Sequence, residues 1–295
     1  MIGPVPASIV RTMRYGSDPS QFARLHLPRF GSNLPVVVVV HGGFWRQRYD
    51  VSLADPLADD LAQHGYVGVA VEYRRVGDDG SGGWPHTLVD VATAVDDLTA
   101  SGQYLARGRM DLGRVAAVGH SAGGHLVGWL AHRGSLRDAT PGRTEPGDDH
   151  LPLVGVVSQA GVLDLVGASD ERLGHGAVID LMEGSAGSLP QRYHHASPLA
   201  HVGDGARVIC VHGDADDEVP LAQSERYVEA ALAAGDPAEL VTLPGVGHYE
   251  LIDPAHEAWA VCRERLGALL GVPDDVVPDH AVDEAVPDDA VPDDA

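Results

Sequence analysis

Five consecutive valines at positions 36–40 restrict the possible folds of this chain more than any other feature. Pro35 precedes the run and the pair Gly42–Gly43 follows it closely. A strand with apolar residues on both faces is typical of a parallel sheet that is covered by helices on each side. The valine run therefore predicts a fully buried strand in such a sheet.

Strand and helix patterns alternate along the chain after this run. Further strands are predicted at 66–73, 114–118, 153–158, 207–211 and 239–243, and helices at 53–64, 85–101, 122–132, 221–234 and 254–270. This alternation predicts an α/β protein with a doubly wound, mostly parallel sheet. Residues 1–35 are expected to add an antiparallel edge or a strap.

Two segments interrupt the alternation, and a third follows it. Residues 133–152 are polar and predict a surface loop. Residues 161–205, with a short helical signal at 177–182, predict a small cap over the carboxyl edge of the sheet. The catalytic domain is then expected to be 1–271. Val-Pro-Asp-Asp repeats at 272–295 predict a disordered acidic tail.

The charge of the chain excludes several classes of function. The net charge is −23, and all 20 basic residues are arginines, so lysine-dependent chemistry is excluded. The acidic surface predicts no nucleic-acid partner and no binding to anionic membranes. Cys210 and Cys262 lie in apolar patterns, which favours two buried thiols over a disulfide. No signal peptide or membrane-spanning run is found, so a soluble, cytoplasmic protein is expected.

The segment Gly119-His120-Ser121-Ala122-Gly123 lies between a predicted strand and a predicted helix. A strand that enters Gly-x-Ser-x-Gly and continues into a helix is typical of a nucleophile elbow. The turn is tight enough to need the two flanking glycines, and it holds the serine hydroxyl above the sheet. Ser121 is therefore the candidate nucleophile.

A serine nucleophile needs a base, and the base needs an acid to orient it. His248 follows the last predicted strand and is the candidate base. Asp216 is the first choice for the acid, in the loop after the strand at 207–211. Spacing alone leaves other carboxylates open, namely Asp214, Asp217 and Glu218 in the same loop and, more remotely, Asp164.

The segment His41-Gly42-Gly43-Phe44-Trp45 follows the valine strand. Glycines allow backbone N–H groups to approach a substrate oxygen closely. We therefore assign Gly43 and Phe44 as oxyanion donors. Ala122, directly after the candidate nucleophile, supplies the third N–H at the start of its helix.

Together these motifs resemble the α/β-hydrolase family over roughly residues 30–270. The form His-Gly-Gly-x-Trp is similar to the arylformamidase branch, which includes kynurenine formamidase, beside the hormone-sensitive-lipase-like esterases. The family pattern His-Gly-x-x-Asp-x-x-Val-Pro, matched from His212 to Pro220, favours Asp216 as the acid. The resemblance implies a serine hydrolase that cleaves a small carboxylic ester or N-formyl amide, without metal or cofactor.

Aromatic residues near the motifs are candidates for a pocket that holds a small acyl substrate: Trp45, Trp84 and Tyr249, with Phe44. Three alternatives remain. A prolyl-oligopeptidase-type peptidase usually carries an added propeller domain, for which this chain leaves no room. A non-catalytic binding protein normally lacks one triad member. A metal hydrolase is disfavoured because the cap histidines lack metal-ligand spacing, and solvated side chains are expected there: His175, His194, His195 and His201. The oligomeric state stays open.

Overall fold

The computed structural model describes residues 8–136, 140–144 and 150–272. Most of the predicted acidic tail, from residue 273 onwards, lies outside the described residues. So do residues 137–139 and 145–149 of the predicted surface loop. The part of that loop that is described contains a single-turn 3₁₀ helix, Arg133–Ser135.

One eight-stranded sheet forms the centre of the part of the chain that the structure describes. Its strands are β1 Ser8–Arg14, β2 Phe22–Pro28, β3 Leu34–Val40, β4 Val67–Val71, β5 Met110–His120, β6 Val156–Gln159, β7 Val208–Gly213 and β8 Ala238–Leu243. The order across the sheet is β1-β2-β4-β3-β5-β6-β7-β8. Strands β3 to β8 pair in parallel, whereas β1 and β2 are antiparallel. The predicted mostly parallel sheet and its antiparallel N-terminal edge are confirmed.

Helices cover both faces of the sheet. They are α1 Asp55–Gln63, α2 His86–Asp96, α3 Ser101–Leu105, α4 Ala122–Ala131, α5 Leu165–Asp170, α6 Leu173–Met182, α7 Pro190–Ala196, α8 Ala222–Ala234 and α9 Glu257–Leu270. Alternate valines of β3 enter two separate cores. Val38 packs in a cluster with Leu126 of α4, and Val39 packs in another with Trp259 of α9. The valine run is therefore buried on both faces, as predicted.

The helix predicted at 85–101 is divided in two. Helix α2 ends at Asp96, a 3₁₀ turn spans Asp97–Thr99, and Ala100 leaves the helical region with φ −109° and ψ −83°. The Thr99 hydroxyl donates a hydrogen bond to Asp96 O at 2.7 Å. Short polar side chains that bond nearby backbone compete with a continuous helix, which explains the break.

Helices α5, α6 and α7 lie between β6 and β7, within the segment predicted as a cap. The helical signal predicted at 177–182 forms the second half of α6. Cys210 and Cys262 are buried free thiols, as predicted. None of the helices in the described part of the chain is long and apolar enough to cross a bilayer.

Candidate active site

Ser121 occupies a tight turn between β5 and α4. Its backbone has φ 55° and ψ −114°, in the left-handed half of φ space that side chains rarely adopt. The Ser121 N–H donates to Gln159 O of β6 at 2.8 Å, which fixes the strained residue to the neighbouring strand. A Cβ atom on Gly123 would lie 2.0 Å from Val40 O, so only glycine fits there. This is the geometry of a nucleophile elbow.

The glycine loop after β3 lies directly against this turn. A Cβ atom on Gly42 would be 3.2 Å from the Ser121 Cβ and 2.9 Å from His120 O. Gly43 and Phe44 both have positive φ, 106° and 52°. Among the described residues, no hydrogen bond uses the backbone N–H of Gly43, Phe44 or Ala122. All three N–H groups are therefore without an acceptor in the described structure.

Glu72 is a buried carboxylate that the sequence analysis did not predict, and it supports this glycine loop. Glu72 follows β4 and lies 3.0 Å from His41 Nε2 through its Oε1. It also accepts backbone N–H groups from Val51 and Tyr73, both at 2.9 Å, and forms an ion pair with Arg75. Its position directly after a strand of the parallel sheet is the one sequence feature that could have indicated a role at this edge.

The loop after β7 presents several carboxylates, but their surroundings differ. Asp216 accepts backbone N–H groups of Glu218 and Val219 through Oδ1, at 2.9 and 2.8 Å. Its Oδ2 lies 2.7 Å from His248 Nδ1. Burial raises the pKa of Asp216, but hydrogen bonds from His212 and His248 outweigh it and hold the pKa well below the usual range. Asp216 is therefore an ionised partner for His248.

The alternative carboxylates have other partners. Asp214 accepts the Gly245 N–H at 2.6 Å and is exposed, as is Asp217. Glu218 lies 3.4 Å from the Tyr249 hydroxyl. Asp164 accepts the N–H of Gly167 at the start of α5. Of these four and Asp216, only Asp216 has a hydrogen bond to His248 in the described structure.

His248 is nearly buried, with 4% of its surface exposed. His120 Nε2 lies 2.9 Å from His248 O, and the two rings are 4.3 Å apart. His248 is thus fixed beside the residue that precedes Ser121. Within the described residues, Ser121 forms hydrogen bonds through its backbone, and its Oγ atom forms none. The structure therefore joins the candidate base to the acid and brings it to the elbow.

A family model, BD-FAE, matches residues 25–231, which is more than half of the chain. The chain belongs to the BD-FAE family. It is 28% identical to the probable carboxylic ester hydrolase LipM of Mycobacterium tuberculosis over 236 residues, 76% of this chain and 51% of LipM. It is 26% identical to the esterase LipC of the same organism, over 83% of this chain and 61% of LipC. The chain spans about half to three fifths of the length of these relatives.

Solved structures share the fold. A truncated carbohydrate esterase from gut microbiota matches with a TM-score of 0.77 and 19% identity, covering 91% of this chain and 99% of the other. Esterase 2 of Thermogutta terrifontis matches with a TM-score of 0.65 and 21% identity, covering 90% of each chain. The chain has the α/β-hydrolase fold, as predicted.

The three aromatic candidates for the substrate pocket lie in different surroundings. Trp45 has 0% of its surface exposed and packs edge-on against the ring of His125, 5.2 Å away. It therefore presents no surface to a pocket in this structure. Trp84 is half-buried, and its ring lies 6.3 Å from that of His195. Tyr249 is 59% exposed, with its ring 5.2 Å from that of His248.

The cap histidines are only partly solvated. His175 and His194 are exposed, whereas His195 and His201 are half-buried. His195 Nδ1 lies 2.8 Å from the Thr140 hydroxyl. Among the residues the structure describes, no group of three or more His, Cys, Asp or Glu side chains could hold a metal ion.

Proposed function

We propose that this protein is a serine carboxylic ester hydrolase that works through an acyl-enzyme. The observation that carries the proposal is the 2.7 Å contact between His248 and Asp216, formed next to a strained serine. The carboxylic ester hydrolase and esterase named among its relatives support the same reaction class. A binding protein on this fold would have no need for the strain or for an ionised buried carboxylate.

The first half-reaction assigns one role to each residue. Asp216 accepts a hydrogen bond from the Nδ1–H of His248, which leaves Nε2 as the acceptor for the Ser121 hydroxyl proton. Ser121 Oγ then attacks the ester carbonyl, and the bond to the alcohol breaks as His248 returns the proton to the leaving oxygen. Ser121 Oγ comes within hydrogen-bond reach of Nε2 in the substrate complex.

The oxyanion is held by the N–H groups of Gly43, Phe44 and Ala122. Each donor contributes about 3 kcal/mol to transition-state stabilisation in sites of this kind. The N–H of Ala122 also lies at the positive end of α4. In the second half-reaction, water takes the place of Ser121: His248 deprotonates it, and it attacks the acyl-enzyme carbonyl. The bond to Ser121 Oγ then breaks, and the carboxylic acid is released.

We further propose a short acyl chain and an ester bond. Ser121 and His248 are 2% and 4% exposed, which leaves little open space at the nucleophile. Esterase 2 of Thermogutta terrifontis, which shares the fold, has been solved with propionate and with butyrate bound. The formamide alternative depends only on the His-Gly-Gly-x-Trp segment, whereas the named relatives are esterases.

Labelling with a fluorophosphonate tests the reaction class. We expect the wild-type protein to be labelled at Ser121, as located by peptide mass spectrometry, and Ser121→Ala to lose both labelling and turnover. Ser197→Ala is the matched control because Ser197 is also 2% exposed, and it should keep both. A folded wild-type protein that is neither labelled nor active would support the binding-protein alternative.

Rates on different substrates test the bond and the acyl length. We expect kcat/KM for p-nitrophenyl acetate, propionate and butyrate to exceed that for octanoate and for N-formylkynurenine. A higher kcat/KM for N-formylkynurenine would assign the chain to formamide cleavage instead. Preferential cleavage of a prolyl peptide would assign it to the peptidases.

A further inference from the structure

A second imidazole contacts the carboxylate that orients His248. His212 is the penultimate residue of β7 and is fully buried. Its Nε2 lies 2.9 Å from Val219 O and 3.3 Å from Asp216 Oδ2. Its Nδ1 lies 2.8 Å from the hydroxyl of Ser224 on α8, which is also fully buried.

These partners determine the tautomer of His212. Nε2 faces two oxygens that can only accept, a backbone carbonyl and a carboxylate, so Nε2 carries the proton. Nδ1 is then the acceptor, and the Ser224 hydroxyl donates to it. His212 therefore directs its Nε2–H toward Val219 O and the Asp216 carboxylate.

Each carboxylate oxygen of Asp216 consequently has two nitrogen neighbours. Oδ1 receives two backbone N–H groups, from Glu218 and Val219, and Oδ2 receives the imidazoles of His248 and His212. Further titratable side chains near this pair are His120 from β5, whose ring is tilted against that of His248 at 4.3 Å, and Tyr249, whose ring lies 5.2 Å from that of His248. Burial, and then the neighbouring His248, lower the pKa of His120 to about 3, so it is neutral here.

We propose that His212 is a positioning residue that acts through Asp216. Its N–H prevents rotation of the carboxylate and draws electron density from Oδ2, which limits how strongly Asp216 stabilises a protonated His248. Loss of this N–H should therefore move the acid limb of the reaction, where the rate falls with decreasing pH, to higher pH. This inference rests on the proposed function, in which His248 is the general base.

The test compares three variants with the wild type. His212→Phe fills the space but removes both nitrogens, His212→Gln can place an N–H where Nε2 was, and Ser224→Ala removes the group that fixes the tautomer. The rate of fluorophosphonate labelling is measured from pH 5 to 9, with circular dichroism as the check of folding. The pKa of His248 is measured in parallel by NMR titration, which requires no turnover.

We expect His212→Phe to label about tenfold more slowly, the effect of losing one hydrogen bond to a charged group. The acid limb of its labelling-rate profile should move to higher pH by about half a unit. The pKa of His248 measured by NMR should rise with it. His212→Gln should restore both values to near wild type. Ser224→Ala should shift both in the same direction by a smaller amount, and it carries the test if His212→Phe does not fold.

A uniform loss of rate with an unmoved acid limb and an unmoved His248 pKa would overturn the inference, because packing alone would explain it. So would a Ser224→Ala variant identical to the wild type. Failure of the wild-type protein to be labelled contradicts the proposed function instead. The NMR titration then still decides whether His212 acts on His248.

Discussion

Two buried imidazole–carboxylate pairs lie at the carboxyl edge of the same sheet. His248 pairs with Asp216 across the ends of β7 and β8, and His41 pairs with Glu72 across the ends of β3 and β4. Both pairs combine the same two chemical groups, at 2.7 and 3.0 Å. Their neighbours make them different.

In the pair His41–Glu72, every polar atom of the imidazole is occupied. His41 Nδ1 lies 2.8 Å from Gly42 O and Nε2 faces Glu72, so neither nitrogen can receive a proton from a serine. Glu72 in turn is neutralised by Arg75. His248 has one nitrogen engaged by Asp216, and no arginine pairs with that carboxylate in the described structure. The first pair supports a loop, and the second is the pair that we propose moves a proton.

The largest expected effect distinguishes the two carboxylates by activity. Asp216→Asn should lower kcat by about 10⁴-fold, because an amide that donates to Nδ1 leaves the proton on Nε2, where His248 cannot act as a base. Asp214→Asn is the matched control in the same loop and should stay within about twofold, since its carbonyl can still accept the Gly245 N–H. Steady-state ester hydrolysis measures both. An active Asp216→Asn protein would remove Asp216 from the mechanism.

The second effect distinguishes the two carboxylates, Glu72 and Asp216, by their contribution to the stability of the fold. Glu72→Gln should lower the free energy of unfolding by about 3–5 kcal/mol, because it leaves the buried Arg75 without its counter-charge. Its kcat should fall far less than that of Asp216→Asn. The half-exposed pair Glu171–Arg226 provides the control, and Glu171→Gln should cost less than about 1 kcal/mol. Urea denaturation gives both values; equal losses in the two variants would contradict a supporting role for Glu72.

A third effect concerns a buried imidazole that has no carboxylate partner. Burial lowers the pKa of His125 to about 4, and its Nε2 lies 2.9 Å from Ala196 O. Since an unfolded histidine titrates near 6.5, the unfolded state binds the proton first. His125 therefore costs stability as the pH falls from about 6.5 to 4, by up to about 1.4 kcal/mol per pH unit.

His125→Gln should keep the contact with Ala196 O and remove this titration. Urea denaturation at a series of pH values should therefore give a shallower fall in stability between pH 6.5 and 4 than in the wild type. An unchanged slope would mean that His125 takes up its proton at the same pH in the folded and the unfolded protein, and that burial without a carboxylate does not keep an imidazole neutral here.

The smallest effect concerns the rim of the site. Tyr249→Ala should raise KM for aryl esters by about twofold to tenfold, the range of one aromatic contact, with little change in kcat. Tyr249→Phe should retain the wild-type KM. Tyr104→Ala removes another exposed tyrosine, 79% exposed on α3, and should change neither constant. If Tyr249→Ala has an unchanged KM, the ring does not contact the substrate.

Local rules were sufficient for much of the architecture. The valine run predicted a strand with two buried faces, because a strand without polar residues has no face for water. The motif around Ser121 predicted its turn, because the close approach of Gly123 to Val40 O admits no side chain. The prediction of one continuous helix over 85–101 was wrong at its C-terminal end. Local hydrogen bonds of Thr99 and its neighbours interrupt the helix there.

Sequence order determined that Ser121, Asp216 and His248 follow strands of one parallel sheet and so belong to the same edge. Only the tertiary structure decided which carboxylate meets His248, because Asp214, Asp216, Asp217 and Glu218 differ by small loop rotations that spacing does not encode. It also decided which groups Glu72 and His212 contact. Their partners are distant in sequence or depend on loop conformation, and burial and hydrogen-bond geometry exist only once the chain has folded.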